Sequence, residues 1–161
     1  MIDDFDPTPR PEETERIRKR AVQLLDRRAM SAKELMDKLV QKGEDPHRAE
    51  DAVYWLAEIG LLCDASYAEQ VVRHYGGRGY GKRRIQQELW RRGVPRDLWE
   101  TALETLPEER DDLDRFVRAK LRGEIPDRRE EKRVADALAR RGYSWDEISA
   151  GMRRYLESIE E

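Results

Sequence analysis

Apolar residues recur along this chain every three or four positions, with charged residues between them, and that spacing predicts helices from end to end. Ile17, Ala21, Val22, Leu24 and Leu25 form one stripe over Glu12 to Arg28. Ser31-Ala32-Lys33-Glu34 has the form of a capping box. In such a box the serine oxygen and the glutamate carboxylate take up backbone N–H groups that a helix start leaves unpaired. Leu35, Met36, Leu39 and Val40 carry that helix to Gly43, a glycine placed to end it. Asp45-Pro46 opens a third helix, Asp as N-cap and Pro at the first helical position, with Ala49, Ala52, Val53, Leu56 and Ile59 as its buried stripe up to Gly60.

Tyr67, Ala68, Val71, Val72 and Tyr75 make a fourth stripe, which Gly76, Gly77, Gly79 and Gly81 are expected to stop. Ile85 and Leu89 mark a fifth helix, and Val94-Pro95 a sixth start. Leu113, Phe116, Val117 and Leu121 predict a seventh, from about Pro107 to Leu121, broken by Gly123 and Pro126. Arg128 to Arg141 is the eighth, and Ser144 to Ile159 the ninth, opened by the box Ser144-Trp145-Asp146-Glu147. No stretch alternates with the period of two that a half-buried strand requires.

The stripes repeat. Leu35, Leu39 and Gly43 return fifty residues on as Ile85, Leu89 and Gly93, and forty-nine further as Val134, Leu138 and Gly142. Ala21/Leu25, Ala68/Val72 and Val117/Leu121 hold matching places in the first helix of each set. A period of about fifty residues marks a tandem array. The predicted fold is all-α: three tandem three-helix repeats, residues 12–62, 63–107 and 108–161, after a flexible N-terminal tail of residues 1–11. A repeat of that size buries little alone, so neighbours are expected to stack into an elongated array.

With 42% charged residues among 161, apolar surface is scarce, which fits thin helical packing rather than one thick core. The single cysteine, Cys63, excludes an internal disulfide and suits a reducing compartment. No apolar run approaches the ~20 residues that span a bilayer, and MIDDFDPTPRPEE lacks the basic and apolar parts of a signal peptide, so a cytoplasmic protein is expected. The net charge of −3 hides a basic block: Glu88 is the only acid between Arg73 and Arg96. Arg73, Arg78, Lys82, Arg83, Arg84, Arg91 and Arg92, with Tyr80 among them, are the candidate surface for an anionic partner. The plainer reading makes them a solvated helix face whose arginine stems cover apolar neighbours.

GGRGYG follows no strand and ends in no Lys-Ser/Thr pair, so it is a bend between helices rather than a phosphate loop. His47 and His74 lie far apart and belong to no metal set; no cofactor or metal is expected. Asp64 is expected to cap its own helix and Tyr67 to pack in the core. Trp55, Trp99 and Trp145 are expected in the packing, while Trp90, beside arginines, is the candidate exposed anchor. The carboxylates all lie on mixed-charge faces with no nucleophile–base set, which argues against an enzyme.

LLDRRAMSAKELMDKLVQKG (24–43), LAEIGLLCDASYAEQVVRHY (56–75) and GRGYGKRRIQQELWRRGV (77–94) together resemble the RecX family of regulatory proteins. After Leu106 only the spacing carries the likeness. The resemblance implies three tandem three-helix repeats in a curved, elongated arrangement. It also implies a non-enzymatic monomer that binds the groove of the RecA–DNA filament and inhibits its ATPase and strand exchange, modulating recombination and DNA repair. Direct contact with single- or double-stranded DNA stays open. The alternative is a DNA-binding array of helix-turn-helix-like modules, because three-helix units with a basic helix also have that form.

Overall fold

A computed structural model describes residues 10–108 and 110–161. Residues 1–9 of the expected tail lie outside them, and Pro11 is already helical. The described residues form nine α-helices and no strand: α1 (Pro11–Arg27), α2 (Ala32–Gln41), α3 (Pro46–Glu58), α4 (Asp64–Gly77), α5 (Lys82–Arg91), α6 (Trp99–Leu103), α7 (Asp112–Leu121), α8 (Arg128–Arg140) and α9 (Trp145–Glu160). They are grouped as three successive three-helix repeats, as the period predicts. Leu35, Leu39, Ile85, Leu89, Val134 and Leu138 are all buried. Gly43, Gly93 and Gly142 all have positive φ, the left-handed ending that glycine adopts without a Cβ penalty.

The chain divides into two compact units, Met1–Tyr67 with Arg91–Leu98, and Ala68–Trp90 with Trp99–Glu161, so the middle repeat contributes to both. In the first unit α1, α2 and α3 pack mutually around Ala21, Leu24, Met30, Leu35, Leu39, Ala49, Leu56 and Leu62. Ser31 caps α2 in a complete box with Glu34, and Asp45 caps α3 through the N–H of Arg48. Glu44, only 6% exposed, accepts from Arg16 at 2.6 and 2.9 Å and from Arg20 at 2.8 Å, tying α1 to the α2–α3 turn. Those hydrogen bonds, chiefly from Arg16, hold the Glu44 carboxyl below its ordinary value against the opposing effect of burial.

In the second unit α7, α8 and α9 surround Leu113, Val117, Leu121, Val134, Leu138, Tyr143, Ile148 and Tyr155. Asp127 and Ser144 each form a complete capping box, with Glu130 and Glu147.

Several expectations are corrected. Ile59, placed on a buried stripe, is exposed because it is already past the end of α3; Val40, a helix step off the Leu35–Leu39 line, is exposed too. The glycines do not stop α4 at Tyr75; it continues through Gly76 and Gly77 and ends only where Gly79 turns left-handed. The sixth helix is short, a 3-10 turn (Arg96–Leu98) running into α6, because Pro107 disfavours helix at Leu106 and the last turn tightens onto Ala102 and Leu103 carbonyls. The seventh helix starts at Asp112, not near Pro107, since Arg110 is engaged elsewhere. Trp145 stands 70% exposed rather than in the packing.

Candidate interaction surface of the second repeat

Lys82 to Arg91 is helical because Ile85, Glu88 and Leu89 share one face, and all three are buried. That face decides where the basic residues go. Arg83 is exposed, as are Lys82 at the helix start and Arg91 at its end. Arg84 is half-buried: its guanidinium lies 3.4 Å from the buried carboxylate of Glu88 and 5.7 Å from the centre of the Tyr80 ring. Arg92 is half-buried too; its guanidinium donates to the Tyr67 hydroxyl at 2.9 Å, and its carbonyl accepts from Ser31 Oγ. Arg73 on α4 and Arg78 in the turn are exposed. Among the described residues, Arg73, Arg78, Lys82 and Arg83 form no ion pair with the chain's own carboxylates. Of the basic block within the second unit, the structure therefore leaves Arg73, Arg78, Lys82 and Arg83 exposed without an ion pair and directs Arg84 to its own helix.

The glycine turn that carries Arg78 is clamped. Arg110 donates to the carbonyls of Gly76 at 3.2 Å and Tyr80 at 2.8 Å, Arg141 to that of Arg78 at 3.3 Å, and the Tyr143 hydroxyl to that of Gly79 at 2.7 Å. Burial holds the Tyr143 phenol above its ordinary value, so it stays protonated and able to donate. The turn then enters α5 through two backbone bonds, Gly81 N–H to Arg141 O at 2.8 Å and Arg83 N–H to Gly142 O at 3.1 Å. Tyr80 packs back, edge-on to Tyr75 with ring centres 5.7 Å apart and between the guanidiniums of Arg84 and Arg141. Fixing four carbonyls within five residues, those of Gly76, Arg78, Gly79 and Tyr80, removes the freedom a glycine-rich turn would otherwise have, so Arg78 projects from a rigid base.

Sequence reasoning did not find Arg110, Arg141 or Tyr143, which position this turn. It also misplaced Asp64. Its carboxylate accepts the N–H of Ala32 at 2.8 Å, completing the start of α2, while the carbonyl of Cys63 accepts the first α4 bond. Trp90 is 71% exposed, as the anchor reading requires. Among the described residues no helix is long and apolar enough to cross a membrane.

Known proteins match this chain in both sequence and fold. Residues 18–56 match the model of the RecX first three-helix domain and residues 64–103 that of the second. The regulatory protein RecX of Halorhodospira halophila is 39% identical over 85% of this chain and 86% of its own length. The protein of the same name from Pseudomonas fluorescens is 38% identical over 83% and 87%. In fold, the crystal structure of RecX from Lactobacillus salivarius superposes with a TM-score of 0.81 at 19% identity, covering 89% of this chain and 97% of that one. A second crystal structure of a regulatory protein RecX gives 0.72 at 21%, covering 81% and 67%. The chain belongs to the RecX family of regulatory proteins.

Proposed function

We propose that this protein is a non-enzymatic cytoplasmic regulator of RecA that binds the RecA–DNA filament in its groove and inhibits ATP hydrolysis and strand exchange, thereby modulating recombination and DNA repair. One observation supports this above the rest: in a RecX-family chain, Arg73, Arg78, Lys82 and Arg83 stand exposed and unpaired around a clamped turn. An unpaired cation row held on a rigid base loses little entropy on meeting an anionic surface and steers the encounter. Within the second unit Arg84 and Tyr80 buttress the proposed surface. A protein lodged in the groove would obstruct incoming duplex and subunit exchange.

The experiment is DNA-dependent ATP hydrolysis by the cognate RecA, titrated with this protein at two salt concentrations. The rate falls with added protein, and the inhibition weakens as salt rises. An unchanged rate throughout the titration overturns the proposal. Sequence-specific binding to naked duplex, without effect on RecA, favours the helix-turn-helix alternative.

A further inference from the structure

Cations and aromatic rings alternate across the second unit. Arg84 lies 5.7 Å from the Tyr80 ring centre and Arg141 5.4 Å from it; Arg141 lies 5.1 Å from the Phe116 ring centre and Lys120 5.5 Å from it. The row leads from the clamped turn onto α7 and ends at a hollow of about 520 Å³ between α7 and α8. Its floor is apolar, from Phe116, Leu121, Val134 and Ala137, and its rim carries Lys120, Arg122, Arg133 and Arg140. Two acids, Glu124 and Glu130, also border it, but Glu130 is engaged by the Asp127 N–H in the α8 capping box. Lys120, Arg122, Arg133 and Arg140 form no ion pair among the described residues. Arg122, which ends α7 in the left-handed conformation, is moreover the only described non-glycine residue with positive φ, 53°, a place where glycine would carry no Cβ penalty.

A flat apolar body carrying an anion on a short tether fits such a hollow, and a nucleotide has that form. An acidic peptide offers carboxylates without the flat body, and a duplex keeps its bases stacked out of reach. We propose that the α7–α8 hollow of the third repeat holds one nucleotide unit of a single-stranded nucleic acid, the base against Phe116 and the phosphate among Lys120, Arg133 and Arg140. The strand continues along the cation–aromatic row toward Tyr80. This site is independent of the RecA reading and its test contains no RecA.

The test is fluorescence anisotropy of a labelled oligo-dT strand with the full chain at low salt. Lys120→Ala/Arg140→Ala weakens binding about tenfold and lowers the slope of log affinity against log salt by about 1.4, roughly 0.7 for each lost contact to a single strand. Phe116→Leu, which keeps an apolar filling, weakens it about threefold through lost stacking. Arg122→Gly weakens binding while leaving the thermal midpoint no lower, which a merely structural arginine would not do. The charge-matched control Arg118→Ala/Arg153→Ala, two exposed cations off the hollow, changes affinity less than about twofold. No binding by the wild-type chain overturns the proposal. So does an equal loss in the control, equal competition by poly-glutamate, or a mononucleotide binding as tightly as the strand.

Discussion

The N–H of Arg83 donates to the carbonyl of Gly142 at 3.1 Å, so the first turn of α5 rests on the residue that ends α8. The same relationship recurs one period earlier in the other unit, where the Ser31 hydroxyl donates to the carbonyl of Arg92 and Gly93 lies against Lys33. In each case the start of a repeat's second helix meets the end of the next repeat's second helix. Gly93 and Gly142 therefore do two things: they turn left-handed to end a helix, and they let a neighbouring strand of backbone or side chain come close.

That contact sets a prediction for the glycine turn. A Cβ at Gly81 would overlap the Gly142 carbonyl, and one at Gly142 would overlap the Arg84 backbone, whereas a Cβ at Gly77 meets open space. Gly81→Ala and Gly142→Ala should each cost about 2 kcal/mol or more through backbone displacement. Gly77→Ala, in a helix, should instead stabilise by up to about 1 kcal/mol. Urea unfolding midpoints of the three variants check the order.

Asp64 carries a second prediction. Losing the acceptor for the Ala32 N–H should cost Asp64→Ala about 1 kcal/mol, with Asp64→Asn retaining most of it, since the amide oxygen can still accept. The loss belongs to α2, so hydrogen exchange should quicken at Ala32 and its neighbours rather than along α4.

Glu44 supplies a pH dependence. Its folded carboxyl is held below the ordinary glutamate value, so its stabilising contribution is full above that ordinary value and is lost as pH falls through the lower, folded one. Glu44→Gln should lower stability at neutral pH by about 1.5 kcal/mol, the low end for charge-assisted hydrogen bonds because Arg16 is exposed and Arg20 only half-buried. It should also flatten the acid limb of the stability curve. Arg16→Ala/Arg20→Ala should cost more, since it strands a buried carboxylate.

Tyr143 tests the clamp. Tyr143→Phe leaves the Gly79 carbonyl without its donor and should cost about 1 kcal/mol in thermal or urea unfolding. The same substitution should loosen the Arg78 segment, seen as faster exchange at Gly79 and Tyr80.

What could be predicted from sequence divides by distance along the chain. The pairs Leu35/Leu39, Ile85/Leu89 and Val134/Leu138, the three closing glycines and the Ser31 and Ser144 boxes are set within a turn or two of helix, so local spacing reveals them. Asp64, Arg110 and Tyr143 act on partners 32, 34 and 64 residues away, and no local pattern encodes that. The basic block was visible as composition, but its division was not. Whether Arg84 turns inward to Glu88 while Arg83 points out depends on which face of α5 is buried.

The most direct measurement is inhibition of DNA-dependent RecA ATP hydrolysis by the variant Arg73→Glu/Arg78→Glu/Lys82→Glu/Arg83→Glu beside the wild-type chain. These four side chains are exposed and unpaired, so the helical signal should be retained. The account predicts that the wild-type chain suppresses hydrolysis and the folded variant does not. Equal inhibition by both would contradict it.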